Sequence, residues 1–274
     1  MRPPPKIGVL LLTGVRKSSG GEASPYGPQK MMTMTLKELF PIVKVPRKPS
    51  REWWSQRLSA QSSFCRAVLG CGILTHRQMV HAALRYRLGR SKDDAVIYWQ
   101  IDLLGTTHDG KLMWYGPDCH RLKNRNATWV MFLMKKHLGI PQNTFQPHHV
   151  FFGLHLLRHV KPQDSCQVCI VEAEKTAVIM SELCPQHVWL AAGGLYELQD
   201  EKFFALRHYR VVLFPDTDPD MRAYTLWYET AQRLSASFLW PKDNPIHVSD
   251  FLERKATPEQ KSRKIDIVDY LLER

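Results

Sequence analysis

No run of apolar residues in this chain approaches the ~18 to 20 that a membrane-spanning helix needs, so no such helix is expected. Cysteine is scarce: six in 274 residues, at 65, 71, 119, 166, 169 and 184. That is too few and too scattered for a disulfide framework, and reduced thiols of a cytoplasmic protein are the expectation. Cys166 and Cys169 make one C-x-x-C, but no second pair stands at zinc-ribbon spacing and Cys169 lies inside an apolar run, which argues against zinc there. No helicase-type phosphate loop occurs. The opening "MRPPPKIGVLLLTGVRKSSGG" imitates a signal peptide, yet Arg16 and Lys17 follow its apolar run directly and no A-x-A-like site stands near, so export is not expected.

What the chain does have is an ordinary globular composition, 44% apolar and 23% charged, with enough length for one large domain or two modest ones. Its charge is lopsided. Residues 1 to 150 hold 23 basic and 8 acidic residues, net +15, whereas residues 151 to 250 hold 9 and 13, net −4. Two readings stand: a basic half that grips a polyanion, releasing counterions as phosphates meet Lys and Arg, or a solvated basic surface. The acidic half is placed to hold metal ions.

Four segments follow from the pattern. Residues 1–50 contain the Gly, Ser and Pro-rich stretch 18–30 and read as flexible. Residues 51–165 form a basic helical and β-hairpin subdomain. Within it, apolar residues at helical spacing from about 50 to 90 predict two helices separated near Gly70 and Gly72, with Trp53 and Trp54 as hydrophobic anchors. "AVIYWQIDLLGTTHDGKLMWYGP", residues 95 to 117, predicts an antiparallel hairpin turning at "GTTHDG". Lys111 and then Arg121, Lys123 and Arg125, interleaved with aromatics, are candidates for single-stranded nucleic acid; a solvated basic face is the other reading.

Residues 166–240 alternate strand and helix: "QVCIVE", "KTAVIMSEL", "HVWLAAGG", "YRVVLFPDTD" and "MRAYTLWYETAQRL". Strands separated by helices imply a parallel sheet with right-handed crossovers, whose ligands bind beyond the carboxyl ends of the strands. Glu172 ends the first strand, Gly193 and Gly194 the second, Asp216 and Asp218 the third. All therefore fall on one edge. A D-x-D at a strand end lets two carboxylates share a hard cation. The glycines permit a close backbone approach or a tight turn. Lys175 is a candidate phosphate contact, or else a salt-bridge partner of Glu174 or another neighbour. The tail, 241–274, reads as helical, with Ser249 and Thr257 as N-caps, Pro258 at the first helical position and Gln260 completing a capping box. Its Leu, Ile and Val spacing predicts packing on the preceding domain.

"IVEAEKTA", "LAAGG" and "LFPDTD" together resemble the motif series of the Toprim domain, found in bacterial primases, topoisomerases and some nucleases. With the preceding glycine, hairpin, basic segment and "HHVFFGLHLL", residues from about 60 onward are similar to the bacterial primase catalytic core and to Toprim-bearing primase-like proteins of bacterial mobile elements. The resemblance implies an α/β fold: a Toprim-type parallel sheet flanked by helices, preceded by a helical and hairpin primase-core-like subdomain. It implies Glu172 as the acid–base or metal-positioning carboxylate and Asp216 and Asp218 as ligands of Mg²⁺ or Mn²⁺. The implied activity is nucleotidyl or phosphoryl transfer on DNA, primer synthesis first, with single-stranded DNA and nucleotides as ligands. Where the chain departs from that family, in having no zinc ribbon or phosphate loop, two expectations follow: template recognition in a helicase or zinc-ribbon partner chain, or priming lost altogether. A non-catalytic nucleic-acid-binding accessory and a Toprim nuclease are the alternatives.

Overall fold

The structure, a computed structural model, describes residues 62–144, 146–162 and 164–273. The segment expected to be flexible, 1–50, and the anchors Trp53 and Trp54 lie outside the described residues.

The chain opens with the expected helix pair, α1 (Ser63–Gly70) and α2 (His76–Arg85). Both starts are set by side chains that satisfy otherwise unpaired amides. Ser62 Oγ accepts from the Cys65 amide, and Thr75 and Gln78 form a reciprocal capping box. An antiparallel sheet follows in the order β1 (Gly89–Arg90), β2 (Val96–Ile101), β3 (Thr107–Met113) and β4 (Thr128–Trp129), and α3 (Val130–His137) continues from its last strand.

The hairpin is present but its turn is earlier than expected. "THDG" lies inside β3, and the chain reverses over residues 102 to 106. Asp102 Oδ1 accepts from the amides of Leu104 and Thr106, both at 2.8 Å, and Gly105 takes φ +84°. An aspartate that satisfies two turn amides outweighs the polar composition downstream, whose His108 and Asp109 are buried strand residues with internal contacts.

The second sheet is parallel throughout, in the order β6 (Val188–Ala191), β5 (Val168–Val171), β7 (Val211–Phe214), β8 (His247–Val248). The short β8 is a strand within the segment expected to be helical. Burial divides this sheet by the two-residue period of a strand. Cys169, Val171, Trp189 and Ala191 join one core with Phe64, Tyr86, Tyr98 and Phe152 and with α4 (Glu174–Leu183), contributed by Val178 and its neighbours. Val168, Ile170, Leu190 and Leu213 join another with Trp227, Ala231 and Leu234 of α6 (Arg222–Ala236), which follows the short α5 (Asp200–Phe203). Both faces are covered, as a parallel sheet requires.

Two features seat the helix pair on the parallel sheet. Tyr86 stacks on Phe152 at 5.1 Å, and its hydroxyl donates to the Trp189 carbonyl at 2.7 Å. Gly153, at φ +86°, passes so close that a Cβ there would meet Tyr86 Cε1 at 2.9 Å. The tail forms α7 (Phe251–Lys255), α8 (Pro258–Arg263) and α9 (Ile267–Leu272). Thr257 and Gln260 make the expected capping box, whereas the cap of α7 is Asp250, with Ser249 Oγ accepting from the Phe251 amide. Leu252, Ile265, Ile267 and Val268 are buried in the core that holds Val171 and Val178, so the tail packs on the parallel sheet's own layer.

Candidate active site

The carboxyl ends of β5, β6 and β7 carry Glu172, Gly193 with Gly194, and Asp216 with Asp218, all on one edge of the sheet. Glu172 is held by the next strand's exit: its Oε1 accepts from the Asp216 amide at 3.2 Å. Burial, then the negative charges of Asp218 and Asp266, push the Glu172 carboxyl up to about 7, the Asp216 amide acting the other way. Burial and the repulsion of Glu172 likewise raise Asp216 well above the usual carboxylate range.

Asp218 is arranged differently. Its Oδ1 accepts from the amides of Asp220 and Arg222, at 3.0 and 3.1 Å, and its Oδ2 from Ala223 at 2.9 Å, so it caps α6 from outside. Burial acts to raise it, but these amides outweigh burial and hold it below its ordinary value. Thr217, between the two aspartates, is fixed from the tail: its amide donates to the Ile265 carbonyl and its hydroxyl to Glu253 at 2.8 Å.

Two of the five cations expected to meet nucleic acid, Lys111 and Lys175, are engaged within the site. Lys111 Nζ reaches across from β3 to the buried Glu174 at 3.1 Å and donates to the Gly193 carbonyl at 2.7 Å. Lys175 pairs with neither glutamate; it meets Asp266 at 3.1 Å and Asp269 at 3.6 Å. Burial acts to lower its pKa and the two aspartates outweigh it. Asp266 is the residue that the pattern of the sequence concealed. It accepts from Thr176 Oγ1 at 2.6 Å and from the Val268 and Asp269 amides. Its only signal is the spacing Asp266-x-x-Asp269, a capping box that reads as a helix start. Gly193 and Gly194 adopt φ +100° and +155°, and a Cβ on Gly193 would stand 3.5 Å from Glu174 Oε1. The positive φ favours glycine for the turn, and 3.5 Å is an ordinary contact distance.

Arg121, Lys123 and Arg125 are exposed on the segment between β3 and β4 and contact none of the edge acids among the described residues. Arg125 lies over the Trp114 ring at 5.1 Å and pairs with Asp93 at 3.3 Å.

Glu172 and Asp216 suit a hard divalent cation as a pair, since each is half-buried against like charge and neither Asp216 carboxylate oxygen accepts a hydrogen bond among the described residues. No three acid, imidazole or thiol side chains converge closely enough among those residues to hold an ion by themselves.

Fold and edge define the class: a mixed α/β protein whose helix-flanked parallel sheet, acid-lined at its carboxyl end, follows a helix pair and an antiparallel sheet. The chain belongs to the family described as "Domain of unknown function (DUF6371)", which matches residues 63–217, from the first helix to one residue short of Asp218. The comparison with curated proteins gives no match. Among solved structures the chain is similar to the primase fragment of the bacteriophage T7 primase-helicase protein, at 13% identity and a TM-score of 0.40, covering 62% of this chain and 60% of that one. The chain thus spans about three fifths of that structure.

Proposed function

We propose that the chain is a Mg²⁺- or Mn²⁺-dependent nucleotidyl or phosphoryl transferase acting on DNA, a Toprim-type enzyme that makes primers, with single-stranded DNA and nucleotides as ligands and a helicase or zinc-ribbon chain as partner. The observation that supports it is the pair Glu172 and Asp216, both raised by burial and like charge at the carboxyl edge of the parallel sheet. Glu172 and Asp216 would hold the ion, which when bound neutralises charge on attacking and leaving oxygens. The chain's own residues do the rest. The Asp216 amide fixes Glu172 Oε1, so that carboxyl is positioned either to hold the ion or, where it stays off the ion, to accept a proton from an attacking hydroxyl. Gly193 and Gly194 supply the positive φ of the turn that follows β6. Lys175, locked by Asp266 and Asp269, and Lys111, held by Glu174 and the Gly193 carbonyl, position the edge.

The amides that occupy Asp218 favour a second reading, an accessory that keeps the fold and binds nucleic acid without turnover. Incubation with single-stranded DNA, labelled nucleotides and Mg²⁺ or Mn²⁺ separates them. Extension lost in Glu172→Gln supports the transferase, cleavage identifies a nuclease, and retention without product with either metal overturns catalysis.

A further inference from the structure

Two aspartates of the antiparallel sheet are wired alike up to their last bond. Asp102 Oδ1 accepts from two amides and its Oδ2 meets His108 Nε2 at 2.9 Å, a closed pair. Asp109 Oδ1 also accepts from two amides, Gly110 at 2.7 Å and Met131 at 3.0 Å. Its Oδ2 faces His149 Nε2 at 3.7 Å, too far for a hydrogen bond, and both atoms are buried without a partner. Asp109 is 0% exposed. His149 keeps 24% of its side chain accessible and stacks on Trp129, centroids 4.3 Å apart and planes 24° apart. With Nε2 turned inward to Asp109, the accessible edge of the ring carries Nδ1.

A permanent structural pair would be closed, as Asp102 and His108 are, because an unmade bond to a buried carboxylate is unfavourable. An Nε2–H closes the pair on Asp109 in the neutral ring or the doubly protonated one, but only the doubly protonated ring also offers an Nδ1–H outward. An anion against Nδ1 stabilises that state. The composition of the subdomain favours an anion: residues 62 to 150 hold twelve Lys and Arg against five Asp. Trp129 is the direct partner of Lys111 across β3 and β4, and Lys111 lies two residues from Asp109, so all three stand on one face of the sheet. The other cation near Asp109, Lys135, donates to the Gln142 carbonyl at 2.8 Å.

We infer that His149, backed by Asp109 and stacked on Trp129, is a phosphate-binding site on the antiparallel sheet that takes a nucleotide phosphate. The ligand is a unit of single-stranded nucleic acid or a free nucleotide. The inference is independent of metal chemistry, and its test is run in EDTA. The full chain is titrated with inorganic phosphate, ATP and a twelve-residue oligo-dT, following affinity by calorimetry and the His149 ring nitrogens by NMR, assigned with His149→Gln. The expected result is a saturable change at His149 with at least one probe, with affinity reduced about tenfold in His149→Gln, the scale of one charge-assisted hydrogen bond, and restored in His149→Lys. Response to the oligonucleotide alone identifies a strand, and response to ATP identifies a free nucleotide. No change at the His149 ring with any probe, or equal affinity of wild type and a folded His149→Gln, overturns the inference. If His149→Gln fails to fold, the wild-type ring signals decide.

Discussion

Removing the charge of Glu172 is expected to stabilise the metal-free chain at alkaline pH. The folded Glu172 carboxyl lies at about 7 against an ordinary 4.5, a difference equivalent to about 3 kcal/mol. A carboxyl raised on folding binds its proton more tightly in the folded state. Its contribution is therefore fully present below 4.5 and is lost as pH rises through about 7. Glu172→Gln keeps an oxygen for the Asp216 amide and carries no such slope. It also removes the repulsion that helps raise Asp216. Denaturant midpoints in EDTA should match for the two proteins at pH 4 and diverge above pH 6, with the variant more stable at pH 8 by up to about 3 kcal/mol. Mn²⁺ should then stabilise the wild type and leave the variant unmoved. Parallel pH profiles, or a variant less stable at pH 8, would show that Glu172 is held by a favourable partner and would refute the crowded-acid account.

Three further outcomes follow from named contacts. Lys175→Met leaves Asp266 and Asp269 without their cation and should cost about 3 to 5 kcal/mol in urea unfolding. Thr257→Ala removes the capping box of α8 and should cost about 1 kcal/mol, read as a small fall in Tm. Changing Arg121, Lys123 and Arg125 together to Ala should reduce the salt slope of single-strand binding by about two, at ~0.7 per phosphate contact; an unchanged slope would make them a solvated surface.

The parallel sheet was legible because each of its first three strands is an apolar run closed by acids or glycine, and the helices between them keep a helical period. The two-faced burial of "VCIV" and "VWLA" follows from that pattern. The hairpin turn was misplaced because composition marks "GTTHDG" as polar, whereas the structure buries His108 and Asp109 with internal contacts. No local pattern reveals that a polar residue has a buried partner some distance along the chain, as Asp109 has in the Met131 amide, 22 residues away. The same limit hid Asp266, which lies 94 positions from Glu172 in the chain and appears in the sequence as the first residue of a helix. It also hid the engagement of Lys111, whose partners Glu174 and Gly193 belong to another sheet.

The two aspartates of the D-x-D, alike in the sequence, should behave oppositely when neutralised. Asp218 places both oxygens on helix amides, and an asparagine there would turn an NH₂ group toward at least one of those donors. Asp218→Asn should therefore lose about 1 to 2 kcal/mol, the range of a helix cap. Because the Asp218 carboxyl is held below its ordinary value of 3.8, that loss should be full above 3.8 and shrink as the medium becomes more acid. Asp216 accepts no hydrogen bond through its side chain among the described residues and is raised by burial and by Glu172. Asp216→Asn removes a crowded charge, so its stability at pH 8 should equal or exceed the wild type while Mn²⁺ binding by calorimetry disappears. Shaping of the edge would thus fall to Asp218 and the holding of a cation to Asp216 with Glu172. Equal destabilisation by both substitutions would make Asp216 a structural residue like its neighbour, and Mn²⁺ affinity unchanged in Asp216→Asn would remove it from the metal site.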